Sequence, residues 1–216
     1  MLWTIIFQIA WGEAPCSSPT VAQIHTLQVL QEYLSTKDCQ ATVNKLEKVK
    51  SLSLVSKDIQ DISILSRAAK LEYLNLSKNQ IEDVSPLSNL SNLKWLDLSM
   101  NPIESMKELP SQSLETFWCV ECQIHSWETK REMRKLLNLS LRSNQLTTIE
   151  IDSFPVLRSV MVSNNEIVDP SSLEGISKLR VIDLYGNPID EQKCPRDKDT
   201  KPKALRAACS NLFGRE

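Results

Sequence analysis

The sequence predicts an α/β solenoid. About seven short parallel strands stack side by side into a curved right-handed superhelix, with a helical cap before them and a second cap after them. Three observations predict it: a leucine pattern with a near-constant period between residues 49 and 190, an apolar helical stripe before that pattern, and a cysteine-bracketed segment after it.

The repeat is clearest in "LEYLNLSKNQI", which places Leu71, Leu74, Leu76, Asn79 and Ile81 in the spacing L-x-x-L-x-L-x-x-N-x-L. The same spacing returns with Leu93, Leu96, Leu98, Asn101 and Ile103, then with Leu136, Leu139, Leu141, Asn144 and Leu146. Two further copies end on Asn165 and Asn187, and a degenerate first copy (Val49, Leu52, Leu54, Lys57, Ile59) has lysine where asparagine is expected. The fourth copy, "LETFWCVECQI", puts Cys119 on a leucine position and Cys122 on the asparagine position. Counted along that last position (57, 79, 101, 122, 144, 165, 187), the steps are 22, 22, 21, 22, 21 and 22 residues.

Alternation over x-L-x-L-x makes a short strand whose leucines share one face while the x residues share the other. The asparagine amide carries two donors and an acceptor, so stacked copies can bond the backbone of neighbouring turns at a buried bend. Segments such as "IEDVSPLSNLSN" add Val84, Leu87 and Leu90 to the same core. No repeat buries its leucines alone, so stability comes from stacking and the ends need caps.

This pattern resembles the leucine-rich repeat family. Its 22-residue form with "DVSPLS" (83–88), "DISILS" (61–66) and "DPSSLE" (169–174) is similar to internalin-like bacterial repeats. The resemblance covers residues 49–189 and implies a concave recognition face; it names no partner. The fourth repeat departs from it, because "HSWETKREMRK" (125–135) reads as a short charged helix.

The domain reading is a signal peptide over 1–14, a helical N-terminal cap over 15–48, seven repeats over 49–190 and a C-terminal cap over 191–216. The opening apolar stretch is too short to span a bilayer but suits the h-region of a secretory leader, although no Lys or Arg precedes it. In the N-terminal cap Val21, Ile24, Leu27, Leu30 and Leu34 fall at helical spacing, with Thr20 or Ser18 as N-cap. Cys194 and Cys209 close a segment after "GNPI", as in the C-terminal caps of exported leucine-rich repeats, and Cys16 and Cys39 bracket the N-terminal cap. In an exported chain these four form two bridges, and in a reducing cell they are free thiols.

The pair in "FWCVEC" reads as buried core thiols, with a strained local disulfide and a metal or redox site as the alternatives. A zinc site would need two more ligands, and His125 alone cannot supply them. No metal or other cofactor is expected. The chain has 25 basic and 27 acidic residues and a formal charge of -2, which gives no electrostatic footprint for nucleic acid. It also lacks both common glycine-rich phosphate loops. Neither histidine, His25 or His125, falls on the recognition face, so an enzyme is not expected.

The outward strand positions form three columns. The first runs Ser51, Tyr73, Trp95, Thr116, Asn138, Ser159, Val181; the second Ser53, Asn75, Asp97, Trp118, Ser140, Met161, Asp183; the third Val55, Ser77, Ser99, Val120, Arg142, Ser163, Tyr185. Tyr73, Trp95 and Trp118 should form one aromatic patch, with Asp97, Arg142 and Asp183 adding polar specificity and Val120, Met161 and Tyr185 extending it. Of the N-x-[ST] sequons at Asn75, Asn89 and Asn138, two fall on this face, which favours a bacterial source over a glycosylating one. The expected function is binding of a protein partner on the concave face by an exported monomer, with a cell-surface polymer as the other ligand class. The alternatives are an intracellular scaffold resembling phosphatase regulatory subunits and a structural envelope component.

Overall fold

The computed structural model describes residues 16–106, 109–110, 112–126, 132–148, 154–195 and 202–214. The leader expected over 1–14 lies outside them. Seven three-residue strands run parallel in sequence order: β1 Ser51–Ser53, β2 Tyr73–Asn75, β3 Trp95–Asp97, β4 Thr116–Trp118, β5 Asn138–Ser140, β6 Ser159–Met161 and β7 Val181–Asp183. Each central residue points inward: Leu52, Leu74, Leu96, Phe117, Leu139 and Val160 are all at most 1% exposed. The register places equivalent repeat positions side by side, so Tyr73 pairs with Trp95 and Asp97 with Trp118.

Between strands the chain returns along the convex side. Asp61, Asp83 and Asp169 each use Oδ1 to accept the backbone N–H two residues on, at 2.7, 2.8 and 2.9 Å. That carboxylate cap opens 3-10 turns at Ser63–Arg67, Ser85–Leu87 and Ser171–Gly175. The charged helix expected over 125–135 is not present in its described part, which holds a turn at 134–135; residues 127–131 lie outside the description.

The asparagine ladder runs through the core. Nδ2 of Asn79 donates to the Leu54 and Leu76 carbonyls at 2.8 and 2.7 Å, and Nδ2 of Asn101 to those of Leu76 and Leu98 at 3.0 and 2.9 Å. Asn144, Asn165 and Asn187 repeat the arrangement. Each Oδ1 accepts an N–H from the preceding turn, such as Ile81 N–H on Asn101 at 2.9 Å. One residue before the ladder position the backbone is left-handed in every turn: Ser56, Lys78, Met100, Glu121, Ser143, Asn164 and Gly186 have φ between 54° and 72°.

Helix α1, Val21–Leu34, closes the first turn with a capping box between Thr20 and Gln23. Its buried stripe is Thr26, Leu30 and Leu34, while Val21 is 85% exposed. The expected apolar face is therefore rotated, because Thr26 satisfies its hydroxyl on the Asp61 carbonyl at 2.6 Å and can sit inside. A second helix, α2, Cys39–Leu46, shares the cap. Helix α3, Lys203–Phe213, covers β7 and buries Leu205 and Cys209. Cys16 is bonded to Cys39 and Cys194 to Cys209, tying each cap across 23 and 15 residues.

The reading of Cys119 and Cys122 as core thiols is corrected: the two are bonded to each other, with Cα atoms 5.7 Å apart. Their ladder and leucine positions hold both side chains in the core at 0% and 6% exposure, close enough to join.

Candidate interaction surface

The concave face carries the outward residues of the strands. Tyr73 and Trp95, paired across β2 and β3, stack with ring centroids 4.0 Å apart and planes 5° from parallel. Trp118 meets Trp95 edge-on, at 5.3 Å and 68°. The three rings form one patch in which Tyr73 and Trp118 are still 40% and 41% exposed. Parallel pairing brings same-column residues together, so a shared column position in adjacent repeats produces the stack.

Beyond Trp118 the face opens into a hollow of about 440 Å³ over β4, β5 and β6. Trp95, Trp118 and Val120 line one side, and Arg142, Ser159 and Met161 the other. Thr116, Asn138 and Ser140 lie between them. The Asn138 amide donates to the Thr116 hydroxyl at 3.2 Å.

Arg142 reaches two strands across to Asp183, donating from Nε and Nη2 to Oδ2 at 3.1 and 2.8 Å. Burial raises the Asp183 carboxyl, but the Ser163 hydroxyl, the Arg142 guanidinium and the Tyr185 N–H outweigh it and hold it below the usual carboxylate range. Asp97 presents little surface at 8% exposure, and its Oδ1 accepts the Ser99 N–H at 2.9 Å, so its carboxylate shapes the turn. Met161 lines the hollow, while Tyr185, 73% exposed, stands at the far end of the face outside it. At the strand starts Glu72 bridges Lys50 and Lys94 at 3.0 and 2.7 Å. Those two ammonium groups lower the Glu72 carboxyl to about 2.

Thr116, Asn138, Ser140 and Ser159 stood in the outward columns, yet nothing in their residue type marked them. Their significance comes from the bulk of Trp118 and Met161 on either side, which turns a flat strip of small polar residues into a hollow. Among the described residues no group of three or more His, Cys, Asp or Glu is placed to hold a metal ion, and no helix is long and apolar enough to cross a membrane.

The seven-stranded parallel sheet and its asparagine ladder give the chain the architecture of a leucine-rich repeat solenoid. The profile of Leucine Rich repeats (2 copies) matches residues 69–111. Among solved structures, internalin C2 of Listeria monocytogenes is similar over 90% of this chain and 97% of its own, at 19% identity and a TM-score of 0.56. Internalin F of the same organism aligns over 79% of this chain and 72% of its own, at 19% identity and a TM-score of 0.42. Among curated protein sequences no match is found. The fold is internalin-like.

Proposed function

We propose that this chain is an exported, non-enzymatic recognition module that binds a protein partner through the concave patch of Tyr73, Trp95 and Trp118. The observation that carries the reading is the stacked aromatic trio left open on the recognition side of a rigid sheet. Large exposed aromatics cost solubility, and Trp and Tyr anchors commonly contribute ~2 kcal/mol or more to a protein interface. Val120, Arg142, Met161, Asp183 and Tyr185 extend the surface, and Asp97 supports it from beneath. The bridges Cys16–Cys39, Cys119–Cys122 and Cys194–Cys209 support export over an intracellular scaffold, because disulfides persist in oxidising compartments.

The test is the double substitution Trp95→Ala, Trp118→Ala in a folded protein. Proteins of the extracellular fraction retained by the wild type should be lost by the variant, whereas unchanged retention removes the patch from the account.

A further inference from the structure

The hollow beside Trp118 holds an unsatisfied polar group. Ser140 lines it at 5% exposure, and its hydroxyl has no protein partner among the described residues; its backbone carbonyl accepts the Cys119 N–H at 2.9 Å. Buried hydroxyls are almost always paired, so a buried donor facing an open hollow points to something that enters it. The neighbouring polar groups are uncharged: the Thr116 hydroxyl, the Asn138 amide and the Ser159 hydroxyl. The one ionic lining residue, Arg142, is neutralised by Asp183. The hollow's volume of about 440 Å³ lies within the ~300–1,000 Å³ of ordinary small-ligand sites.

We propose that this hollow is a binding subsite for a neutral saccharide, one sugar ring packing on Trp118 while its hydroxyls bond Ser140, Asn138 and Ser159. A pyranose has an apolar C–H face and a hydroxylated rim, which matches an aromatic wall beside a floor of hydroxyl and amide groups. An acidic sugar would find its only cation already paired. An extended peptide would find no sheet edge here, since β4 to β6 are interior strands hydrogen-bonded on both sides. The inference rests on the concave face being the recognition surface, and it adds a ligand class to that face.

The experiment titrates the full chain with cellohexaose, maltoheptaose, chitohexaose and laminarihexaose, and in parallel with polygalacturonate and a proline decamer, following tryptophan fluorescence and calorimetric heat. Saturable binding of at least one neutral oligosaccharide is expected, weakened about tenfold or more by Asn138→Ala and by Ser140→Ala. Alanine removes only the hydroxyl and adds no bulk to the hollow, and removing an unpaired buried polar group does not destabilise the core, so Ser140→Ala should keep the wild-type unfolding midpoint. No saturable response to any of the four, a response confined to polygalacturonate or the proline decamer, or binding indifferent to both substitutions would overturn the subsite. Protein retention that depends on Trp95 and Trp118 without any sugar binding sinks this inference and leaves the proposed function standing. Sugar binding with retention unaffected by that pair does the reverse.

Discussion

Cys122 occupies a ladder position, and its sulfur lies 3.5 Å from the Leu98 carbonyl oxygen with no hydrogen to donate, because it is bonded to Cys119. Elsewhere each internal ladder carbonyl receives two amides: Leu76 from Asn79 and Asn101, Leu141 from Asn144 and Asn165. Leu98 receives only Asn101 and Cys119 only Asn144. On the acceptor side, Ile103 N–H turns to the Asn101 carbonyl at 2.8 Å in place of a ladder oxygen. The repeat tolerates a gap in its ladder where the backbone and a disulfide close it.

That gap makes the ladder asparagines unequal. Asn101→Ala would leave the Leu98 carbonyl without a ladder donor and Asn144→Ala would do so for Cys119, whereas Asn165→Ala leaves both of its carbonyls one partner each. A buried polar group stripped of its last partner costs about 1–3 kcal/mol, so the first two substitutions should destabilise by roughly that much more than the third. Urea unfolding of the three variants checks it, and an Asn165→Ala loss as large as the others would contradict it.

The left-handed residue before each ladder position separates two kinds of glycine. Gly186 and Gly214 both have positive φ, but a Cβ on Gly186 would collide with Asn164 Oδ1 while one on Gly214 meets nothing within 4 Å. Gly214→Ala should therefore cost only the conformational term, about 1 kcal/mol, and Gly186→Ala clearly more. Thermal unfolding of the two variants gives the comparison, and equal losses would show that the Gly186 turn yields.

Glu72 should make stability depend on acid. Its folded carboxyl is lowered from 4.5 to about 2 by Lys94 and Lys50, so its contribution is fully present above the unfolded value and is lost as pH falls through about 2. Lys94, correspondingly raised, keeps its charge through that range. The pair lies at the surface, with the Glu72 side chain 32% and the Lys94 side chain 54% exposed, so the effect is small and screened by salt. Glu72→Gln should lower the melting temperature at pH 6 in low salt and leave it unchanged near pH 1.5; a difference that persists there would assign the effect to something other than the carboxylate.

Much of the fold was legible because period and alternation survive translation into geometry. Leu71, Leu74, Leu76 and Asn79 each landed where the spacing put them, and the Tyr73–Trp95–Trp118 patch followed from column arithmetic alone. What escaped depends on context rather than pattern. The rotated face of α1 was hidden because a threonine can be buried once the Asp61 carbonyl meets it. The Cys119–Cys122 bond was hidden because a leucine and an asparagine position carry no sign that their side chains converge. Asp97 can likewise sit buried because its carboxylate accepts the Ser99 N–H, which its residue type does not reveal.

The cap disulfides should matter most to the ends. In the chain-entropy view a bridge closing 15 residues contributes about 3 kcal/mol, and one closing 23 somewhat more. Cys194→Ala with Cys209→Ala should then loosen α3 and β7, which α3 covers, ahead of the centre. Amide exchange would show faster opening at Ile182 and Leu184 than at Leu96; uniform acceleration across the sheet would contradict the end-cap role.

The most direct test of the concave-face claim is the affinity of the purified partner for two single variants, Trp118→Ala on the patch and Val168→Ala, an exposed position outside the concave columns. Loss of a buried anchor worth ~2 kcal/mol should weaken binding more than tenfold for Trp118→Ala, while Val168→Ala leaves it unchanged. Equal affinities for Trp118→Ala and the wild type would contradict the account.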